Sequence, residues 1–136
     1  MFEYKEIKDI SKEKLEKLYA DNGWTLYTKD LDSLQRAVLN SLYVNTVWVD
    51  DELVGLIRVI GDNESVIYIQ DILILKKYHR KGIGTKLMKV VLEKFGHVRQ
   101  KTLLTGTDEK TNAFYRSLGF VEPGEMECVA FVRHDV

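Results

Sequence analysis

The segment Ile72–Met88, "ILILKKYHRKGIGTKLM", changes character twice along its length. It opens as an aliphatic run, passes through His79, Arg80 and Lys81 and a pair of glycines, Gly82 and Gly84, and closes in helical periodicity. Ile83, Leu87, Met88, Val91, Leu92 and Phe95 fall on one helical face, with Lys86, Lys89, Glu93 and Lys94 on the other. Gly96 stands where such a helix would end. The spacing therefore predicts a buried strand, a basic loop and an amphipathic helix. The first amides of a helix have no intrahelical partner, and its dipole presents partial positive charge there, so phosphate is the natural ligand of such a junction. Gly82 and Gly84 would let a bulky anion approach the backbone, and the neighbouring basic side chains add charge. The alternative is a solvated basic loop whose glycines merely permit a turn.

Upstream of this segment the pattern is strand-like. "YVNTVWV" (43–49), "ELVGLIRVIG" (52–61) and "SVIYIQDILIL" (65–75) are rich in β-branched and aromatic residues and are separated by the turn-like "DDE" and "GDNE". They read as an antiparallel meander. The last of the three is apolar on both faces except at Gln70 and Asp71, so it belongs in the middle of a sheet. Before the meander stand a short strand at Phe2–Ile7, a helix capped by Ser11 and ending near Gly23, and a helix from about Leu31 to Ser41 with Asp30 as cap. After the central helix come a strand at Val98–Thr105, a helix at Asp108–Gly119 and a closing strand at Glu125–Arg133. The order β-α-α-β-β-β-α-β-α-β predicts an α+β (mixed α/β) sheet flanked by about four helices.

The 136 residues carry one proline, Pro123, and no linker, repeat or low-complexity tract, which predicts a single domain over 1–136. A net charge of -1 offers no field for nucleic acid or an anionic membrane, and no apolar run approaches the ~20 residues of a membrane span. His79, His97 and His134 are too scattered for a metal site, and the lone Cys128 excludes an internal disulfide. The expectation is a soluble cytoplasmic protein without a metal; a homodimer stays open. Two phosphate motifs fail on spacing. A Walker A loop needs Gly-Lys-Ser/Thr where Gly84-Thr85-Lys86 stands, and a dinucleotide fingerprint needs a small residue at Leu87.

"ILILKKYHRKGIGTKLM" followed by "NAFYRSLGF" (112–120) resembles the GNAT superfamily of acetyl-CoA-dependent N-acetyltransferases, with its Gln/Arg-x-x-Gly-x-Gly/Ala pyrophosphate loop and its Phe-Tyr-x-x-Leu-Gly-Phe motif. The resemblance extends to the element order of the whole chain. It implies a mostly antiparallel sheet with a splayed parallel strand pair, and acetyl-CoA as cosubstrate. It also implies that the backbone of Ile72, Leu73 and Ile74 pairs with the pantetheine arm, and that His79, Arg80, Lys81, Gly82, Ile83, Gly84 and Thr85 hold the pyrophosphate. Tyr115 matches the tyrosine that protonates the departing coenzyme A sulfur.

Two positions depart from the family pattern. His79 replaces the usual Gln or Arg, a weaker donor whose ordinary pKa of ~6.5 would make cofactor affinity depend on pH. Asp108 stands where an asparagine often contacts the cofactor arm, and Asn112 lies nearer the motif.

Transfer to an amine requires removal of the ammonium proton, since such groups have a pKa of ~10.4. The family's usual base position holds Gln70, which cannot titrate. Asp71, the only carboxylate of that strand, is the candidate base; the alternative is an aspartate satisfied by backbone amides or by Arg58. Gln70 and Asp71 cannot both face the substrate unless a bulge intervenes. A Gln-Asp pair here resembles a branch containing arylalkylamine acetyltransferases. Trp24 and Tyr27, in "DNGWTLYTKD" (21–30), are candidates to line the acceptor pocket beside Gln70 and Asp71, with Tyr43, Trp48 and Tyr68 as further aromatic candidates. The expected function is acetyl transfer from acetyl-CoA to a small-molecule primary amine in a ternary complex. The alternative is a non-catalytic acyl-CoA-binding sensor. Cys128 alternates with Met126 and Ala130 like a packing residue, against an acetyl-cysteine route.

Overall fold

A computed structural model describes residues 1–135. The chain divides into two compact units, Met1–Leu103 and Leu104–Val136.

In the first unit, five strands stand in the order β1-β2-β3-β4-β5: β1 Glu3–Lys5, β2 Tyr43–Val49, β3 Glu52–Gly61, β4 Val66–Ile74 and β5 Gln100–Leu103. The first four are antiparallel neighbours, and β4 pairs in parallel with β5. Four helices accompany them: α1 Lys12–Asp21, α2 Thr25–Thr28, α3 Leu31–Leu39 and α4 Ile83–Lys94. The meander follows the sequence expectation, and β4 lies between β3 and β5 as its two-sided apolar pattern requires. Ser11 caps α1 by accepting from Lys14 N at 3.3 Å, and Asp30 caps α3 by accepting from Ser33 N at 3.0 Å. The four-residue α2 was not foreseen. It forms inside the aromatic segment after Gly23, whose φ of 75° turns the chain out of α1.

Because successive strand residues face opposite ways, Arg58 and Tyr43, which pairs with Val59, lie on opposite faces of the sheet. The α1 residue Tyr19 meets the Arg58 face through Asp71, and the Phe95 ring that ends α4 packs edge-on against Tyr43 at 5.7 Å. The core between these layers contains Leu15, Leu18, Leu56, Ile57, Ile67, Leu87 and Met88, all buried. No helix among the described residues is long and apolar enough to cross a membrane.

The second unit contains α5, Glu109–Ser117, capped by Asp108, and a 3₁₀ turn at Pro123–Met126. The expected closing strand at Glu125–Arg133 does not form among the described residues. Glu127 adopts φ 59° at the end of the turn, and residues 128–135 have no regular structure. Strand propensity supplies suitable side chains but no ladder partner, and without one an extended segment gains no hydrogen bonds.

Candidate active site

The β4–α4 junction is held from below. Ile74 O accepts from Asn22 Nδ2 at 3.2 Å and lies 2.8 Å from His79 Nε2; a carbonyl can only accept, so that nitrogen carries the proton. Lys76 N donates to Asp21 Oδ2 at 2.7 Å, tying the same stretch to the end of α1. Beyond a 3₁₀ turn at Lys76–Tyr78 the backbone takes positive φ at Arg80 (64°) and at Gly82 (80°), and Gly82 is the N-cap of α4. No side chain caps this end. Lys86 N is the first amide to enter the helical ladder, bonding Gly82 O, which leaves Ile83, Gly84 and Thr85 N–H pointing out of the helix start. A Cβ on Gly82 would meet nothing within 4 Å, and one on Gly84 would approach only Ile74 Cδ1 at 3.6 Å. An uncapped helix start with open space above its glycines fits an anionic phosphate, and Arg80 and Lys81 stand exposed beside it.

The neighbouring strand edge is also open. The β4–β5 ladder ends at Ile69 opposite Leu103, whereas β4 continues to Ile74. Residues 70–74 thus have no strand partner on that side among the described residues. Because Ile74 O is already engaged, Ile72 and Leu73 are the main-chain groups best placed to meet an extended ligand.

Around Asp71 the strand is irregular. Arg58 pairs with Asp71 and Val59 with Ile69, so Gln70 is the extra residue of a bulge. The bulge lets Gln70 and Asp71 address one partner: Gln70 Nε2 donates to the Tyr27 hydroxyl, which donates to Asp71 Oδ1, each at 2.9 Å. Asp71 Oδ2 accepts from Tyr19 Oη at 2.9 Å and from Arg58 Nε at 2.7 Å. The remaining Arg58 nitrogens reach Ser41 Oγ and Tyr27 Oη, each at 3.4 Å. Asp71 is 2% exposed and Arg58 7%, so this is a buried ion pair with both oxygens of the carboxylate occupied. Burial pushes the Tyr19 phenol well above its usual pKa, and the Asp71 charge adds to the effect. Tyr27 is raised by the same two causes while staying half-buried. Burial lowers the pKa of Arg58, but attraction to Asp71 prevails and raises it, so the guanidinium stays charged.

Trp24 completes an aromatic group with Tyr19 and Tyr27, at centroid distances of 5.9 and 6.1 Å. Tyr43 lies on the opposite face, donating to Glu6 Oε2. The Trp48 ring packs beneath the ammonium groups of Lys5 and Lys14. The sequence flagged Arg58 as an alternative partner for Asp71; Tyr19 and Ser41 were missed. Tyr19 reads from its spacing as a core-facing residue of α1, and nothing local marks its hydroxyl as a partner of Asp71.

In the second unit, Tyr115 packs against Phe114 and Phe120 at 5.1 and 6.0 Å between centroids, and burial raises its phenol pKa. Asp108, at the family's asparagine position, accepts from Thr111 N at 3.1 Å as the helix cap. Asn112 Nδ2 donates to Asp108 O at 2.7 Å and Gly106 O at 3.2 Å, so its amide is engaged locally.

The sequence fits a family model described as "Acetyltransferase (GNAT) domain" over residues 6–134. The chain belongs to the GNAT acetyltransferase family. A GNAT-family acetyltransferase from Streptococcus pneumoniae TIGR4 is 33% identical, with 99% of this chain and 98% of that one covered at a TM-score of 0.87. An aminoglycoside acetyltransferase from an uncultured soil metagenomic sample, solved with sisomicin, is 17% identical over 99% of this chain and 94% of that one, with a TM-score of 0.66. AAC(6')-Iy, solved with the bisubstrate analog CoA-S-monomethyl-acetylneamine, is also 17% identical, covering 100% and 99% with a TM-score of 0.67. These last two share the fold. The sequence matches no curated protein. As a GNAT acetyltransferase the protein uses acetyl-CoA, and the β4–α4 junction fits that ligand's phosphates.

Proposed function

We propose that the chain works as one domain that transfers acetyl from acetyl-CoA to a small primary amine in a ternary complex. The carrying observation is the bulge at Gln70, which brings Gln70 and Asp71 onto the single hydroxyl of Tyr27. Acetyl-CoA supplies an acetyl group activated as a thioester. The amides of residues 80–85 hold its pyrophosphate, with Arg80 and Lys81 adding charge, His79 bracing Ile74 from below, and Ile72 and Leu73 offering main-chain groups to its arm.

Asp71 is the proton acceptor, working through Tyr27. As an ammonium proton reaches Tyr27 Oη, the hydroxyl proton passes to Asp71 Oδ1, leaving the phenol neutral and the amine free to attack. Arg58 holds the carboxylate in place, while burial and the Asp71 charge keep the Tyr19 and Tyr27 phenols neutral. Tyr115 returns a proton to the departing sulfur. Its raised pKa keeps that proton on the phenol at neutral pH. Asn112, tied to the loop before α5, supports the segment that carries Tyr115.

Trp24 and Tyr27 give the acceptor an aromatic wall, which favours an amine with an apolar or aromatic body, as in the arylalkylamine branch. The sisomicin and acetylneamine complexes of its fold relatives make amino sugars the competing class. Calorimetric titration with acetyl-CoA, followed by thiol release against arylalkylamines, polyamines and amino sugars, tests this reading. Binding with amine-dependent release supports it and names the acceptor class. Tight binding without release from any amine would overturn the transferase mechanism.

A further inference from the structure

Proton counting around the Tyr27 hydroxyl fixes which way the Gln70 carboxamide points. The Asp71 carboxylate only accepts, so the single phenol proton of Tyr27 lies toward Oδ1 at 2.9 Å. The phenol oxygen must then accept from Gln70, which sets Nε2 of that carboxamide on Tyr27 at 2.9 Å and turns its carbonyl oxygen, Oε1, the other way. Arg58 Nη2 reaches the same phenol oxygen at 3.4 Å, so both lone pairs of Tyr27 Oη are in use. Asp71 Oδ2 is filled by Tyr19 and Arg58, and Ser41 Oγ accepts from Arg58. Gln70 Oε1 differs from all of these. Among the described residues it accepts no hydrogen bond, and Gln70 is exposed between the buried Ile69 and Asp71.

The inference rests on the part of the acetyl-transfer reading that seats the acceptor's nitrogen at Tyr27 Oη. An ammonium group there donates into the lone pair that Gln70 Nε2 holds, so the carboxamide must give way. The terminal torsion of a glutamine is broad and roughly two-fold, and half a turn takes Nε2 away and brings Oε1 toward the same nitrogen. The bulge makes this possible, because in a regular strand Gln70 and Asp71 would face opposite ways and could not share Tyr27. The aromatic faces of Trp24 and Tyr27 attract any cationic head group, with or without N–H bonds. They do not tell a primary ammonium from a quaternary one, whereas an acceptor oxygen does.

We infer that Gln70 is a specificity-determining residue: its carboxamide occupies the Tyr27 lone pair that the acceptor uses, turns over when an ammonium group arrives, and accepts one of that group's N–H bonds on Oε1. A head group with two or more N–H bonds satisfies Tyr27 Oη and Gln70 Oε1 together. A quaternary ammonium on the same body satisfies neither, and it is held by the aromatic faces alone.

Calorimetric titration of the full chain saturated with coenzyme A, which has no acetyl group to give, separates recognition from turnover. The probes are phenethylamine, putrescine and glucosamine, each against its N-trimethyl derivative, with the wild type, Gln70→Met and Gln70→Glu. The Gln70 side chain is exposed, so thermal unfolding should find both variants folded. The wild type should bind an amine more tightly than its trimethyl derivative. Gln70→Met should narrow that preference by about tenfold, the loss falling on the amine and leaving the derivative's Kd in place. Gln70→Glu, which keeps an acceptor oxygen, should retain the preference. An equal change in both constants would mark a structural role and overturn the inference. So would an unaltered preference in Gln70→Met, its loss in Gln70→Glu, or failure of every amine to bind. Thiol release from acetyl-CoA by the wild type reports separately on the transfer reading: a Gln70-dependent preference without release would overturn transfer and leave the placement of Gln70 standing.

Discussion

Arg58 and Asp71 are directly opposed residues of β3 and β4, and Arg58 Nε donates to Asp71 Oδ2 across 2.7 Å with both side chains buried. Breaking one side of such a pair leaves an uncompensated charge in the core, which costs about 3–5 kcal/mol. Arg58→Met should therefore lower the urea midpoint of unfolding by an amount comparable with much of a small domain's total stability. A loss below about 1 kcal/mol would show that water reaches the carboxylate and that the pair is not the anchor of this site.

Tyr27→Phe removes the hydroxyl shared by Gln70, Asp71 and Arg58 while keeping the ring beside Trp24. Loss of one partly exposed hydrogen-bonding group should cost about 1 kcal/mol of stability. Turnover should fall by about 10²-fold or more if the proton passes through this oxygen. Steady-state kinetics with a saturating amine separates the two effects; an unchanged kcat would remove Tyr27 from the proton path.

Tyr115→Phe is expected to lower kcat by about 10²–10⁴-fold, the usual worth of a positioned proton donor. Calorimetric affinity for acetyl-CoA should stay the same. A matching loss in affinity would instead make Tyr115 a binding residue.

Gly84→Ala should move stability and binding in opposite directions. Gly84 lies in the first turn of α4, where alanine is favoured over glycine by about 1 kcal/mol, and the added Cβ meets only Ile74 Cδ1 at 3.6 Å. Thermal unfolding should therefore shift upward. The same methyl group stands at the open helix start, so acetyl-CoA should bind more weakly in titration calorimetry. Unaltered affinity would place the phosphates away from this loop.

Alkaline pH should destabilise the protein. Tyr19, Tyr27 and Tyr115 have phenol pKa values raised in the folded chain, whereas the unfolded chain ionises near the ordinary value of ~10. Above that pH the unfolded state binds fewer protons than the folded one, so stability is full below the ordinary value and declines as pH rises through the raised ones. Urea midpoints measured from neutral pH upward should be flat and then fall. Ultraviolet titration of the native protein should find phenols that ionise only with unfolding, and normal titration of all seven tyrosines in the folded state would contradict the Asp71 cluster.

The sequence by itself determined the meander, the central helix and the glycine-bearing junction ahead of it, because these rest on local periodicity and on the backbone freedom of Gly82. It also singled out Asp71, since a carboxylate within a two-sided apolar strand must be explained. The partners of that carboxylate were decided by tertiary structure. Arg58, Tyr19 and Tyr27 come from three separate elements, and their convergence depends on strand register and on a one-residue bulge that no local pattern announces. For the same reason residues 125–133 read as a strand and yet form none: side chains set the preference for extended backbone, but the hydrogen bonds of a strand come from its neighbour.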